Sequence, residues 1–146
     1  MVASAFVVAG CGGGGAATVS VPELEEAVVL ARDRVDFVLA EVTRAQSKDE
    51  LLERMDRAAD TIADAAGDVD DLVPPERYRA DIELLVTSLD QLAFDVQATA
   101  DQVREPDFGG LLEGVRGLSF ESWNSVNRAL SGLARDGIEV APLERH

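Results

Sequence analysis

Cysteine, histidine and lysine each occur once in this chain of 146 residues, and aromatic residues make up only 5% of it. Each scarcity closes a class of explanation. A single cysteine, Cys11, cannot form an internal disulfide, so stability has to come from packing. The only histidine, His146, is the last residue. That placement removes Ser-His-Asp and Cys-His catalysis, which need an imidazole oriented by a third group. It also removes the paired Glu-x-x-His motifs of a di-iron bundle, the Cys/His sets of structural zinc and Cys-x-x-Cys-His haem attachment. Carboxylates are plentiful, but one Trp and one Tyr are poor material for the aromatic platforms of a two-carboxylate glycosidase cleft. No Gly-x-x-x-x-Gly-Lys-Ser/Thr sequence is present; Gly12–Gly15 run into Ala-Ala-Thr. The chain is therefore expected not to be an enzyme, with no catalytic residue, cofactor or metal site.

Positive charge is scarce as well. Thirteen Lys and Arg face 28 Asp and Glu, for a formal net charge of −15. Phosphate backbones demand a basic surface, so nucleic acid is excluded as a partner. Attraction to anionic lipid headgroups is excluded by the same sign.

Against these absences stands an apolar start. Residues 1–9 (MVASAFVVA) carry no charge, and Val8-Ala9-Gly10-Cys11 follows them. The stretch resembles the end of a signal-peptide hydrophobic region, and the tetrapeptide resembles the lipobox of bacterial lipoproteins. The resemblance implies cleavage before Cys11, a diacylglyceryl group on its sulfur, and residence on the extracytoplasmic face of the cell membrane. A signal peptide opens with a basic segment, whereas the first Lys or Arg here is Arg32, so the true start is expected upstream of Met1. Twelve Arg against one Lys, with abundant Ala, Val, Asp and Gly, suggests a GC-rich bacterial genome. Two acyl chains suffice for stable anchoring. Residues 11–22 read as a disordered glycine-rich tether spanning roughly 20 Å. Membrane attachment would thus run through the lipid on Cys11 alone.

Beyond the tether, hydrophobic residues recur at steps of four and three. Leu24, Val28, Ala31, Val35, Val38, Val42 and Ala45 form one seam. Val29, Leu30, Phe37 and Leu39 widen it, as burial in a bundle requires. Ser47 and Glu50 have capping-box spacing ahead of a second helix on Leu52, Met55, Ala59, Ile62 and Ala66, interrupted near Gly67. Pro75 opens a third, on Tyr78, Ile82, Leu85, Leu89, Leu92, Val96, Thr99 and Val103. A fourth spans 111–136 with Val115, Leu118, Trp123, Val126, Leu130 and Leu133, weakened by Gly114, Gly117 and Gly132. Gly137 is placed as its C-terminal cap, with Ile138 supplying the hydrophobic contact. The expected organisation is a signal segment over 1–10, a tether over 11–22, an all-α, antiparallel up-down-up-down four-helix bundle over 23–136, and a loosely ordered tail over 137–146.

Two further stretches stand out. Asp64, Asp68, Asp70, Asp71 and Glu76 crowd around a turn, but an EF-hand reading from Asp64 puts Val69 where glycine is required and Pro75 where glutamate belongs. The run 119–127 places Ser119, Ser122, Ser125, Asn127 and the sole Trp, Trp123, in the fourth helix. Trp123 reads as a core anchor or, alternatively, as one wall of a small pocket between helices. The leading expectation is a lipid-anchored helical module that binds a protein or cell-envelope partner. A small-ligand or lipid carrier using a cavity near Trp123 is the first alternative, and a Ca2+-responsive module on Asp68–Asp71 the second.

Overall fold

The computed structural model describes residues 17–105 and 121–145. Cys11, the signal-like segment, the first half of the tether, residues 111–120 of the expected fourth helix and His146 lie outside the described residues. Four α-helices account for most of what is described: α1 (Val21–Thr43), α2 (Lys48–Asp70), α3 (Arg79–Arg104) and α4 (Glu121–Arg135). A short 3-10 turn, Glu76–Tyr78, leads into α3. The topology is the antiparallel up-down-up-down bundle, with α2 packed on α1 and on α3, and α3 packed on α4.

Sequence periodicity translates directly into burial. All seven residues of the α1 seam are buried, as are Met55, Ala59, Ile62 and Ala66 on α2 and Ile82, Leu85, Leu89, Leu92, Val96 and Val103 on α3. Leu30 and Phe37 do not widen that stripe. They lie on the outer face of α1 at 57% and 65% exposure, whereas Leu39 does widen the stripe and packs against the core. Ala58, Ala65, Ala66, Ala93 and Ala100 are buried along α2 and α3, the most extensive helix pair.

The helix ends show why the elements begin and stop where they do. Ser20 caps α1 in a full capping box: its hydroxyl accepts from the Glu23 amide, and the Glu23 carboxylate accepts from the Ser20 amide and hydroxyl. Those bonds favour the ionised carboxylate and hold the Glu23 pKa below its ordinary value. At α2, Ser47 accepts from the Glu50 amide, but Glu50 reaches one residue further back to the Gln46 amide. That backbone bond is the main reason the Glu50 pKa is lowered, with Arg54 adding to it. Arg54 also donates to the Glu41 carbonyl at 2.6 Å, adding a partner from the neighbouring helix to a carbonyl at the C-terminal end of α1 that also accepts from the Arg44 amide. Lys48, the single lysine, donates to the Glu105 carbonyl and does the same for α3. Arg104 bridges Asp56 on α2 and Asp101 on its own helix, and the Asp56 bond raises its pKa.

Two boundaries differ from the sequence expectation. Gly67 does not interrupt α2, which continues to Asp70: burying Ala65, Ala66 and Val69 outweighs a glycine cost of ~1 kcal/mol. The stretch 17–22 is not all tether. The Val19 amide donates to the Val73 carbonyl at 2.9 Å, Val19 packs on the core, and Val21 already lies in α1.

Candidate functional site

The acidic cluster near the second turn is dispersed by the continuation of α2. Asp64, Asp68 and Asp70 lie on the helix and Asp71 caps it, so they are not a loop. Asp68 pairs with Arg34 on α1 at 2.5 Å, and Glu76 pairs with Arg79 at 2.6 Å. Among the described residues no group of three or more His, Cys, Asp or Glu is placed to hold a metal ion. The five residues are therefore not brought together into one ligand set.

The Ser122–Asn127 stretch is brought together, but by its neighbours rather than around a ligand. Ser122 is buried and donates to the Asp95 carboxylate of α3 at 2.7 Å. Gln91 donates to the other Asp95 oxygen, so the carboxylate is held from two helices. Trp123 is half-buried against the core, and the Arg145 guanidinium lies over its ring, 5.3 Å from the centroid. Asn127 faces the C-terminal segment.

That segment is where the structure departs most from expectation. Residues 137–145 are not a loose tail. Gly137, at φ +100°, closes α4 in a Schellman motif, with the Ile138 amide bonded to the Leu133 carbonyl and the Gly137 amide to that of Ala134. The chain then doubles back along α4 and runs beside α1. Ile138 and Leu143 are buried, at 1% and 3% exposure. Over their described residues α1 and α4 barely touch, and the tail fills the groove between them.

The groove holds the tail by its backbone. The Glu139 amide donates to Glu25 at 2.8 Å, and the Glu144 amide donates to Asp36 at 2.7 Å. Arg32 donates twice to the Pro142 carbonyl, from Nε at 3.2 Å and Nη2 at 2.7 Å. From the opposite wall, Asn127 accepts from the Leu143 amide at 2.7 Å and donates to its carbonyl at 3.5 Å. Tyr78, fully buried, donates to the Asp136 carbonyl and fixes the start of the turn. The register is self-consistent. From Glu25 to Asp36 a helix rises ~16 Å, and from Glu139 to Glu144 an extended chain covers ~16 Å, so each bond falls opposite its partner.

No family model matches this chain, and no curated protein or solved structure is significantly similar to it. The site has to be read from its own chemistry. Glu25, Arg32 and Asp36 lie at helical spacing on one flank of α1, and that spacing is the signal that a sequence reading could have used. Alternation of acid, base and acid there looks like an ordinary solvated face until the tail is laid against it. Among the described residues, no helix is long and apolar enough to cross a membrane.

Proposed function

We propose that this protein is a lipid-anchored, extracytoplasmic helical module that binds a protein or cell-envelope partner. The observation that carries the reading is Val8-Ala9-Gly10-Cys11 placed just ahead of an independently packed bundle. Among the described residues, the first backbone bond into the fold is made by Val19, eight residues after Cys11. A glycine-rich coil of that length spans roughly 15 Å, so the lipid would hold the N-terminal end of α1 close to the membrane. That end also carries Glu23, Asp70, Asp71 and Glu76, whose charge keeps the domain off an anionic surface. Partner binding is supported by the bundle's exterior, where Leu30 and Phe37 share one face of α1 and a built groove lies between α1 and α4.

The test is mass spectrometry of the mature N-terminus from membranes of a bacterial host. The expected result is a chain beginning at Cys11 with its mass raised by a diacylglyceryl group, and Cys11→Ser released to the soluble fraction. A soluble chain with an unmodified Cys11 would contradict the reading.

A further inference from the structure

We propose that the α1–α4 groove is a binding site for an extended peptide, and that the protein's own C-terminal segment is its resident, displaceable occupant. Six hydrogen bonds between the groove walls and residues 139–144 join a side chain of the bundle to the backbone of the segment. Donors and acceptors aimed at main-chain groups read an extended conformation, not a sequence. Side-chain selectivity is left to two buried positions, Ile138 and Leu143, five residues apart. Backbone bonds for affinity with a few side chains in pockets is the way grooves take peptides from other proteins. The partner is thus an extended stretch of another polypeptide carrying two aliphatic residues at this separation.

The attachment is also suited to release. Between Glu139 and Glu144 only Leu143 is buried; Glu139, Ala141, Pro142 and Glu144 are exposed and Val140 is half-buried. Ile138 and Leu143 reach into the core and Val140 packs against it, but the residues between expose their side chains and hold on through solvent-edge hydrogen bonds, which places the segment below the helix seams in local stability. Because it is covalently tethered, it competes at an effective concentration in the mM range, which suppresses weak ligands and admits those that match the groove well. The inference rests on the partner-binding reading for the identity of the partner, but not on the lipid anchor.

The molecule carries its own reporter. Arg145 covers the only Trp, so displacing the segment changes Trp123 emission, and a peptide of residues 138–146 adds no indole of its own. The experiment titrates that peptide into the full chain and into the full chain carrying Leu143→Asp, which puts a charge where Leu143 is buried. Helix content is followed by circular dichroism. The expected result is a helical Leu143→Asp chain that binds the peptide saturably, with half-saturation about tenfold lower than for the unaltered chain, whose own segment competes. A peptide with both Ile138 and Leu143 replaced by Asp is expected not to bind. Two results would overturn the proposal: a helical Leu143→Asp chain that ignores the peptide, or a Leu143→Asp chain that loses its helices, since the segment would then be part of the core. Neither bears on Cys11, whose modification is read separately by mass.

Discussion

The seam between α2 and α3 and the seam between α1 and α4 solve the same problem by opposite means. Along α2 and α3, alanines let the backbones approach and Met55, Ile62, Leu85, Leu89 and Leu92 fill the space. The cross-links there, Arg104 to Asp56 and Gln97 to Asp56, lie at its edge. Over their described residues α1 and α4 do not close on each other, and an extended segment lies between them, held by Glu25, Arg32, Asp36 and Asn127. Apolar interdigitation is dense and cannot open without exposing the whole interface. Hydrogen bonds at a solvent edge each contribute about 1 kcal/mol net, because water replaces them when they break. The difference teaches that this bundle has one seam built for permanence and one built to open.

Substitutions that strike the two seams separate them. The largest effect is expected from Leu92→Ala on α3, where the side chain is fully buried. The loss is about 2–5 kcal/mol in denaturant unfolding, in one cooperative transition. Leu143→Ala, nearly as buried, is expected to cost less. The protein can let the segment go, so the loss is bounded by the free energy of closing it. Equal losses at the two positions would erase the distinction.

Gly132→Ala comes next. A methyl group there would overlap the Asp81 carboxylate, where α4 meets the start of α3. That carboxylate is a side-chain end and can swing aside, so the expected loss is at most about 1 kcal/mol once the ~1 kcal/mol that alanine contributes to a helix is counted. Adding Asp81→Ala should turn the loss into a gain, measured by thermal unfolding of the double variant. Tyr78→Phe removes the bond to the Asp136 carbonyl that anchors the turn into the segment, at about 1 kcal/mol. Because this bond lies before the Gly137 turn, Tyr78→Phe should lower the unfolding midpoint without changing Trp123 emission.

The smallest effect concerns the helix ends and carries a pH signature. Ser20→Ala should cost about 1 kcal/mol at neutral pH. Glu23 and Glu50 have folded pKa values below the ordinary 4.5, so each binds its proton more weakly folded than unfolded. Their stabilisation is complete above that ordinary value and is lost as pH falls through the depressed ones. The gap in unfolding midpoint between the unaltered chain and Glu50→Gln should therefore be constant from pH 7 to about pH 5 and shrink below about pH 4.5.

The permanent seams were legible in the sequence and the opening one was not. Four-and-three spacing from Leu24 to Ala45 and from Tyr78 to Val103 marks helices, because burial on a helix repeats every 3.6 residues. Gly137 followed by Ile138 marks a helix stop for a similarly local reason. By contrast, the extended segment has no period, and its partners on α1 lie more than a hundred positions away. Glu25, Arg32 and Asp36 look like any solvated helix flank. A wide apolar stripe suggests that Leu30 and Phe37 are buried in a closed bundle, but both are exposed, and among the described residues that side of α1 is met by the extended segment. The lipobox-like Cys11 lies outside the described residues and rests on sequence alone.

Hydrogen exchange on the full chain tests the two-seam account most directly, using the amides of Glu139, Leu143 and Glu144 against those in the middle of α2 and α3. The account predicts that the three tail amides exchange on the order of a hundredfold faster than the helix-core amides, and that they lose protection together. Exchange of all three at the rate of the α3 core would mean that the segment opens only when the whole bundle unfolds, and would contradict it.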